Sequence, residues 1–318
     1  MNIQKKRKIT VLIISILVVL TFIVGTSGIW KKSLVNSNKN GYVAVIRIDG
    51  PITGGRDAGS VINGTNGVTS ESLMKQFQSA RKDPNAKAIL VRINSPGGST
   101  GATQEVAEEM DKIRSSGKPI IISMGDMCAS AGYWLASKGN YIFATPATIT
   151  GSIGVYMDYT NIEDLMNKLG IKNEKIKSGA HKDILSMYRP MTADERKMIQ
   201  SMVDDIYNQF VQTVADGRKM DESKVRKIAD GRILTGKQAQ DLGLVDAMGN
   251  YYDALSYAAS SGGIQNDVDH IPVKTYENSL SWQEILSSKM DAVSVSFASS
   301  LADHFREALL SSSGPSIK

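Results

Sequence analysis

Residues 88–98 read AILVRINSPGG, and this stretch decides the fold class. Five apolar residues around one arginine predict a short buried strand over residues 88–93. Pro96, Gly97 and Gly98 then predict a turn, and a helical pattern with a polar face continues to about residue 116. A strand, a short loop and a helix in this order indicate a right-handed βαβ unit within a largely parallel sheet.

The same alternation of strands and helices extends to both sides of this unit. Further strands are predicted over residues 42–48, 119–124 and 141–144, and further helices over residues 70–82 and about 130–137. The predicted fold class is therefore α/β, built from βαβ units.

A helical appendage follows the strand-rich part. Thr192 and Glu195 form a capping-box pattern, in which each side chain can bond the backbone of the other residue. Apolar residues recur at every fourth position of the helix that they begin, namely Met198, Met202, Ile206, Phe210 and Val214. Shorter helices near residues 221–229 and 237–242 complete the appendage, and residues 268–276 predict a late strand.

The N-terminal stretch is apolar. Residues 9–29 carry no charge, and a helix of that length is about 31 Å long, enough to cross a bilayer core of about 30 Å. We expect a retained transmembrane helix over residues 9–30. A cleaved signal peptide is the alternative, because small residues lie at positions 25–28.

Four basic residues precede the apolar stretch, at positions 5–8. By the positive-inside rule they place residues 1–8 in the cytoplasm and the body outside the cell membrane. Residues 31–40 then form a polar linker, and residues 41–276 form the folded domain. Residues 277–318 are expected to form a C-terminal helical segment with a flexible tail.

Composition excludes several classes of protein. Hydrophobic residues make up 42% and charged residues 22% of the chain, which excludes a disordered or fibrous protein. The net charge of +5 comes mainly from the basic residues before the apolar stretch, so nucleic acid is not an expected partner. A single cysteine, Cys128, excludes an intramolecular disulfide, and with only three histidines we do not expect a metal site.

Two glycine-bearing turns lie at the carboxyl ends of predicted strands, the edge where open α/β sheets bind ligands. The first turn, residues 94–98, either presents backbone amides as an oxyanion hole or simply links a strand to a helix. The second turn contains Ser130, whose small neighbours leave its hydroxyl accessible. Ser130 is either a nucleophile or the cap of the following helix. Cys128 is an alternative nucleophile.

A serine nucleophile needs a base. None of the three histidines, His181, His270 and His304, lies in a context that indicates a Ser-His-Asp triad. Lys182 lies among small residues before an apolar pair, and burial in an apolar cleft could hold its amine neutral. Asp183 could equally form an ordinary ion pair with Lys182.

Four motifs, in this order and spacing, resemble bacterial signal peptide peptidase A. They are SPGG at residues 95–98, ASAGYW at 129–134, TGSIGV at 150–155 and SGAHKD at 178–183. The resemblance covers about residues 41–255 and points to the half-length type with one N-terminal anchor. It implies a fold similar to the ClpP/crotonase superfold.

The roles of the site residues follow from the resemblance, position by position. It implies that Ser130 is the nucleophile, Lys182 the general base and Ser152 the hydroxyl that orients the lysine. Gly97 lies in the loop that gives one oxyanion amide, and Ala131 gives the other. No metal, nucleotide or other cofactor is implied.

The implied function is that of a membrane-anchored serine endopeptidase with a Ser/Lys dyad. Its substrates would be signal peptides left in the membrane after preprotein processing, and other apolar peptides. The resemblance implies that in doubled-length relatives the lysine and the serine come from different halves. A half-length chain is therefore expected to form a closed ring in which neighbours share the dyad. A crotonase-like acyl-CoA enzyme and a catalytically silent membrane scaffold are the alternatives.

Overall fold

The computed structural model describes residues 41–55, 67–265 and 267–277. The predicted cytoplasmic end, transmembrane helix and linker lie outside these ranges, as does the C-terminal segment after residue 277. Among the described residues, no helix is both long enough and apolar enough to cross a membrane.

The described residues form ten strands and eight α-helices. The strands are β1 (Tyr42–Asp49), β2 (Ile52–Thr53), β3 (Val68–Thr69), β4 (Ala86–Ser95), β5 (Ile120–Ala129), β6 (Tyr141–Ala144), β7 (Ile149–Gly151), β8 (Ile233–Thr235), β9 (Ala247–Met248) and β10 (Val273–Tyr276). The helices are α1 (Ser70–Lys82), α2 (Thr100–Ser115), α3 (Ala131–Ser137), α4 (Glu163–Lys168), α5 (Ala193–Arg218), α6 (Glu222–Ile228), α7 (Gly236–Asp241) and α8 (Tyr251–Ser261).

Six strands form a parallel sheet in the order β10-β1-β4-β5-β6-β9. Helices cover both of its faces, with Phe77 of α1 and Met110 of α2 on one face and Leu255 of α8 on the other. Because both faces are buried, the central strands are apolar almost throughout. The predicted α/β class with a parallel sheet is confirmed. The late strand is shorter than predicted, since residues 268–270 form a 3-10 turn before β10.

The strand β5 is longer than the sequence predicts. The apolar run ends at Met124, whereas the strand continues to Ala129. Its first part pairs with β6, and its last three residues pair with β7. Gly125 and Asp126 interrupt the apolar pattern where the partner changes, which hides the second part of the strand in the sequence. This extension carries the chain directly to Ser130.

The long helix α5 joins the appendage to the sheet. Its predicted capping box is present, and its second half packs against α3, where Phe210 stacks on Trp134 with ring centroids 4.7 Å apart. The apolar stripe is present on the helix but is not buried over its first half. Met198 and Met202 are 43% and 51% exposed, because only the C-terminal half of α5 has buried apolar residues.

A salt bridge fixes the C-terminal end of α5. Arg218, whose side chain is 7% exposed, donates two hydrogen bonds to Asp246, at 2.6 and 3.0 Å. Asp246 also accepts from the N–H of Ile142 in β6 at 2.8 Å. The pair therefore ties the appendage to an inner strand of the sheet.

We predict that Arg218→Met lowers the free energy of unfolding by about 3 kcal/mol, because it leaves the Asp246 carboxylate without its cation. Arg226→Met is the matched control, since Arg226 forms an exposed ion pair with Glu222 and should change stability by less than about 1 kcal/mol. Urea unfolding followed by circular dichroism measures both. Equal effects of the two variants would contradict this role of Arg218.

Candidate active site

The ends of β4 and β5 bring the two predicted turns together. Ser95 and Cys128 are register partners in the parallel sheet, so the residues after them lie side by side. A Cβ atom on Gly97 would lie 2.8 Å from the Cβ atom of Ser130. Gly97 also has a φ of 111°, which residues with side chains rarely adopt. Contact and conformation therefore both require glycine at position 97.

Ser130 links β5 to α3 in a strained conformation. Its φ of 53° and ψ of −125° lie outside the regions that non-glycine residues favour, at a cost of about 1–3 kcal/mol. Backbone hydrogen bonds hold it there: its N–H donates to the carbonyl of Gly151, and its own carbonyl accepts from Trp134, both at 2.9 Å. The side chain makes no capping hydrogen bond to α3. The alternative that Ser130 only caps the helix is therefore wrong.

Cys128 does not compete for the role of nucleophile in this structure. Its side chain is fully buried, and burial raises the pKa of its thiol. The thiolate is the reactive form of cysteine, so a buried thiol with a raised pKa is neither accessible nor activated.

Backbone amides lie beside Ser130. The N–H of Gly97 donates to Ser95 Oγ at 3.1 Å, so that amide is engaged. In the described part of the chain, no acceptor faces the N–H of Gly98 or of Ala131. The Ala131 nitrogen lies 3.0 Å from the Cβ position of Gly97, within the same small region. The Gly97 amide is therefore engaged in this structure, whereas the Ala131 amide is free beside it. That Gly97 and Ala131 supply the two amides of an oxyanion hole stays a prediction.

Ser130 and Ser152 line one groove of about 570 Å³, called the serine groove below. Ser152 also has a positive φ, 52°, and its N–H donates to the carbonyl of Arg232 at 2.8 Å. One face of α5 and residues 229–231 form other walls. The structure thus brings the predicted nucleophile and the predicted orienting hydroxyl into one groove, and in the described ranges no histidine lines it.

Lys182 does not line the serine groove in the single chain. Its side chain is exposed and is not among those that line the groove. Asp183 forms ion pairs with Lys177 and Arg189, so the alternative of a Lys182–Asp183 ion pair is wrong. The other four predicted site residues lie together, whereas Lys182 lies on an exposed segment.

An ion network holds that segment against the start of α5. Arg189 donates to Asp183 at 2.8 Å and to Glu195 at 2.6 Å. These hydrogen bonds hold the pKa of the Asp183 carboxyl well below its usual range and lower the pKa of Glu195 to about 2. Sequence reasoning used Glu195 only as a capping residue. It missed Arg189, because its partners lie six residues away on either side and no periodic pattern links them.

Residues 112–265 match peptidase family S49. A protein of Enterococcus faecium, named "Putative signal peptide peptidase SppA", is 36% identical over 232 residues, which are 73% of this chain and 67% of that protein. The chain belongs to peptidase family S49. It is an SppA-type serine peptidase, which confirms the resemblance seen in the four motifs and disfavours the acyl-CoA alternative.

Two further members of the group are longer than this chain. "Protease 4" of Salmonella typhi is 36% identical over 223 residues, which are 70% of this chain and 35% of that protein. "Serine protease SPPA, chloroplastic" of Arabidopsis thaliana is 32% identical over 262 residues, which are 82% of this chain and 38% of that protein. The matched region therefore spans little more than a third of each of these two relatives.

We predict that Gly97→Ala lowers the kcat/KM of peptide hydrolysis by about 100-fold or more, because the new Cβ displaces Ser130 from its position. Gly101→Ala is the matched control. Gly101 lies in α2 with nothing within 4 Å of its Cβ position, so its replacement should leave turnover unchanged. Steady-state kinetics of the two variants test this, and a fully active Gly97→Ala variant would contradict the close contact.

Proposed function

We propose that this protein is a membrane-anchored serine endopeptidase in which Ser130 is the nucleophile. The observation that carries the proposal is the state of Ser130. Its backbone is strained, its side chain makes no capping hydrogen bond to α3, and it lines the serine groove. Such strain is typical of functional residues that the surrounding structure holds in place. Membership of peptidase family S49 supports the reaction class.

The mechanism follows from the groups around Ser130. The Ser130 hydroxyl attacks the peptide carbonyl, and the amide of Ala131 together with an amide of the Gly97–Gly98 turn stabilises the negative charge that develops on the oxygen. The neutral amine of Lys182 accepts the hydroxyl proton and then donates it to the leaving amine. The Ser152 hydroxyl orients the lysine. Water, activated by the Lys182 amine, then attacks the ester formed on Ser130, releases the acyl part of the substrate as a carboxylic acid and restores the serine hydroxyl.

We propose that Lys182 reaches Ser130 from a neighbouring copy of the chain. The segment that carries Lys182 is exposed, and so are apolar side chains on it and on the first half of α5, which include Leu165, Leu169, Ile176, Met187, Met198 and Met202. Exposed apolar surface of this kind favours association. A head-to-tail contact that repeats by rotation closes into a ring, in which each interface completes one dyad.

The proposed substrates are signal peptides left in the membrane after preprotein processing, together with other apolar peptides. The name of the Enterococcus faecium relative supports this class of substrate. The uncharged stretch over residues 9–30 would anchor the enzyme in the membrane lipid beside such peptides. With residues 1–8 in the cytoplasm, the catalytic domain would lie on the extracellular side.

We predict that Ser130→Ala lowers kcat by several orders of magnitude and leaves the fold intact, because it removes the nucleophile but no packing contact. Cys128→Ala is the control, since it removes the other candidate nucleophile, and it should keep most of the activity. Peptide hydrolysis and circular dichroism of both variants test the assignment. The reverse ranking, or equal turnover by wild type and Ser130→Ala, would reject Ser130 as the nucleophile. No peptide hydrolysis by wild type would indicate a catalytically silent scaffold.

We also predict that two inactive variants, Ser130→Ala and Lys182→Ala, complement each other when their subunits exchange. With random mixing in equal amounts, about a quarter of the interfaces pair an intact serine with an intact lysine, so about a quarter of wild-type activity should return. The control is Ser130→Ala mixed with the double variant, which should stay inactive. If mixed assemblies form without activity, the dyad lies within one chain.

A further inference from the structure

A second cavity, of about 310 Å³, adjoins the serine groove. Val155, Tyr156, Gln200 and Val203 line both cavities, so the two share a wall. The two cavities together are called the channel below. The walls of the second cavity combine apolar side chains, such as Leu185 and Met191, with polar groups. Leu185 and Met191 lie on the segment that the Arg189 ion network holds against the start of α5.

One face of α5 forms the floor of this channel. The floor residues, spaced by three and four positions along the helix, are Arg196, Ile199, Gln200, Val203, Asp204 and Tyr207. At 1.5 Å per residue, Arg196 lies about 16 Å from Tyr207 along the helix axis. An extended peptide covers that distance with about five residues. The channel therefore has the length of a short peptide that ends beside Arg196.

Arg196 brings an unopposed positive charge to the far end of the channel. In the described part of the chain, its guanidinium has no ion pair or hydrogen bond with an acidic side chain. The nearby carboxylates of Asp183 and Glu195 are held by Arg189, and Asp204 accepts from Gln200 at 2.8 Å. A planar guanidinium at the end of the channel can bind a carboxylate through two parallel hydrogen bonds.

We propose that Arg196 binds the C-terminal carboxylate of an apolar peptide whose preceding residues lie along α5 toward Ser130. The enzyme then selects peptides with a free C-terminus and measures the cleavage position from that end. This inference rests on the proposed peptidase function. It adds that the channel recognises the free C-terminal carboxylate of the substrate. Arg196 binds and positions the substrate, and it takes no part in bond cleavage.

The test compares two forms of one apolar peptide, with a C-terminal acid or a C-terminal amide, using the full chain in detergent. Wild type should hydrolyse the acid with at least a tenfold higher kcat/KM, and mass spectrometry should find cleavage within about five residues of the C-terminus. Arg196→Gln should abolish the preference, and Arg196→Lys should retain part of it. Lys197→Gln is the matched control, because Lys197 is the next residue on α5 and does not line the channel; it should behave as wild type.

A binding measurement separates this inference from the proposed function. Ser130→Ala, titrated with fluorescently labelled acid and amide peptides, should bind the acid more tightly, and the added change Arg196→Gln should remove the difference. This result does not require turnover. Equal binding of acid and amide, or a preference that survives in Arg196→Gln, overturns the inference even if the enzyme is an active peptidase. A change in assembly size on Arg196→Gln, measured by sedimentation, also overturns it, because it would assign Arg196 to a contact between copies.

Discussion

The parallel pairing of β4 with β5 is the constraint on which the rest of the site depends. Because Ser95 lies opposite Cys128 in the register, the chain leaves both strands at the same edge of the sheet. The turn after β4 must then pass against Ser130 with no room for a side chain at Gly97. A parallel sheet of this kind places its ligand site at the carboxyl ends of its strands, and here that edge carries a serine whose own conformation is strained.

The strain at Ser130 is sustained by elements on both sides of it. The β7 segment accepts its N–H through Gly151, and α3 begins directly after it, with Trp134 packed against Phe210 of α5. The groove beside the serine therefore exists only because α5 lies across α3, and the Arg218–Asp246 salt bridge fixes the far end of that helix. The geometry of Ser130 in this fold therefore depends on how the helical appendage packs against α3.

Local patterns were sufficient for much of the architecture. Helix α1 begins and ends where its periodicity predicts, and the capping box at Thr192 begins α5 as expected. The same patterns failed where a residue's surroundings come from elsewhere in the chain. Met198 and Met202 follow helical periodicity yet are exposed, because periodicity shows that residues share a face and cannot show that another element covers it.

The sequence by itself determined the α/β class and the order of strands and helices, because these depend on local periodicity. The candidates Ser130, Ser152 and Lys182 came from motifs contiguous in the chain and from the family that these motifs resemble. Only the tertiary structure decided that the Ser130 side chain makes no capping hydrogen bond to α3, that Gly97 packs against Ser130, and that Lys182 is exposed in the single chain. Each of these depends on hydrogen bonds and contacts between residues distant in sequence. Such contacts are formed by strand register and helix packing, which no local pattern encodes.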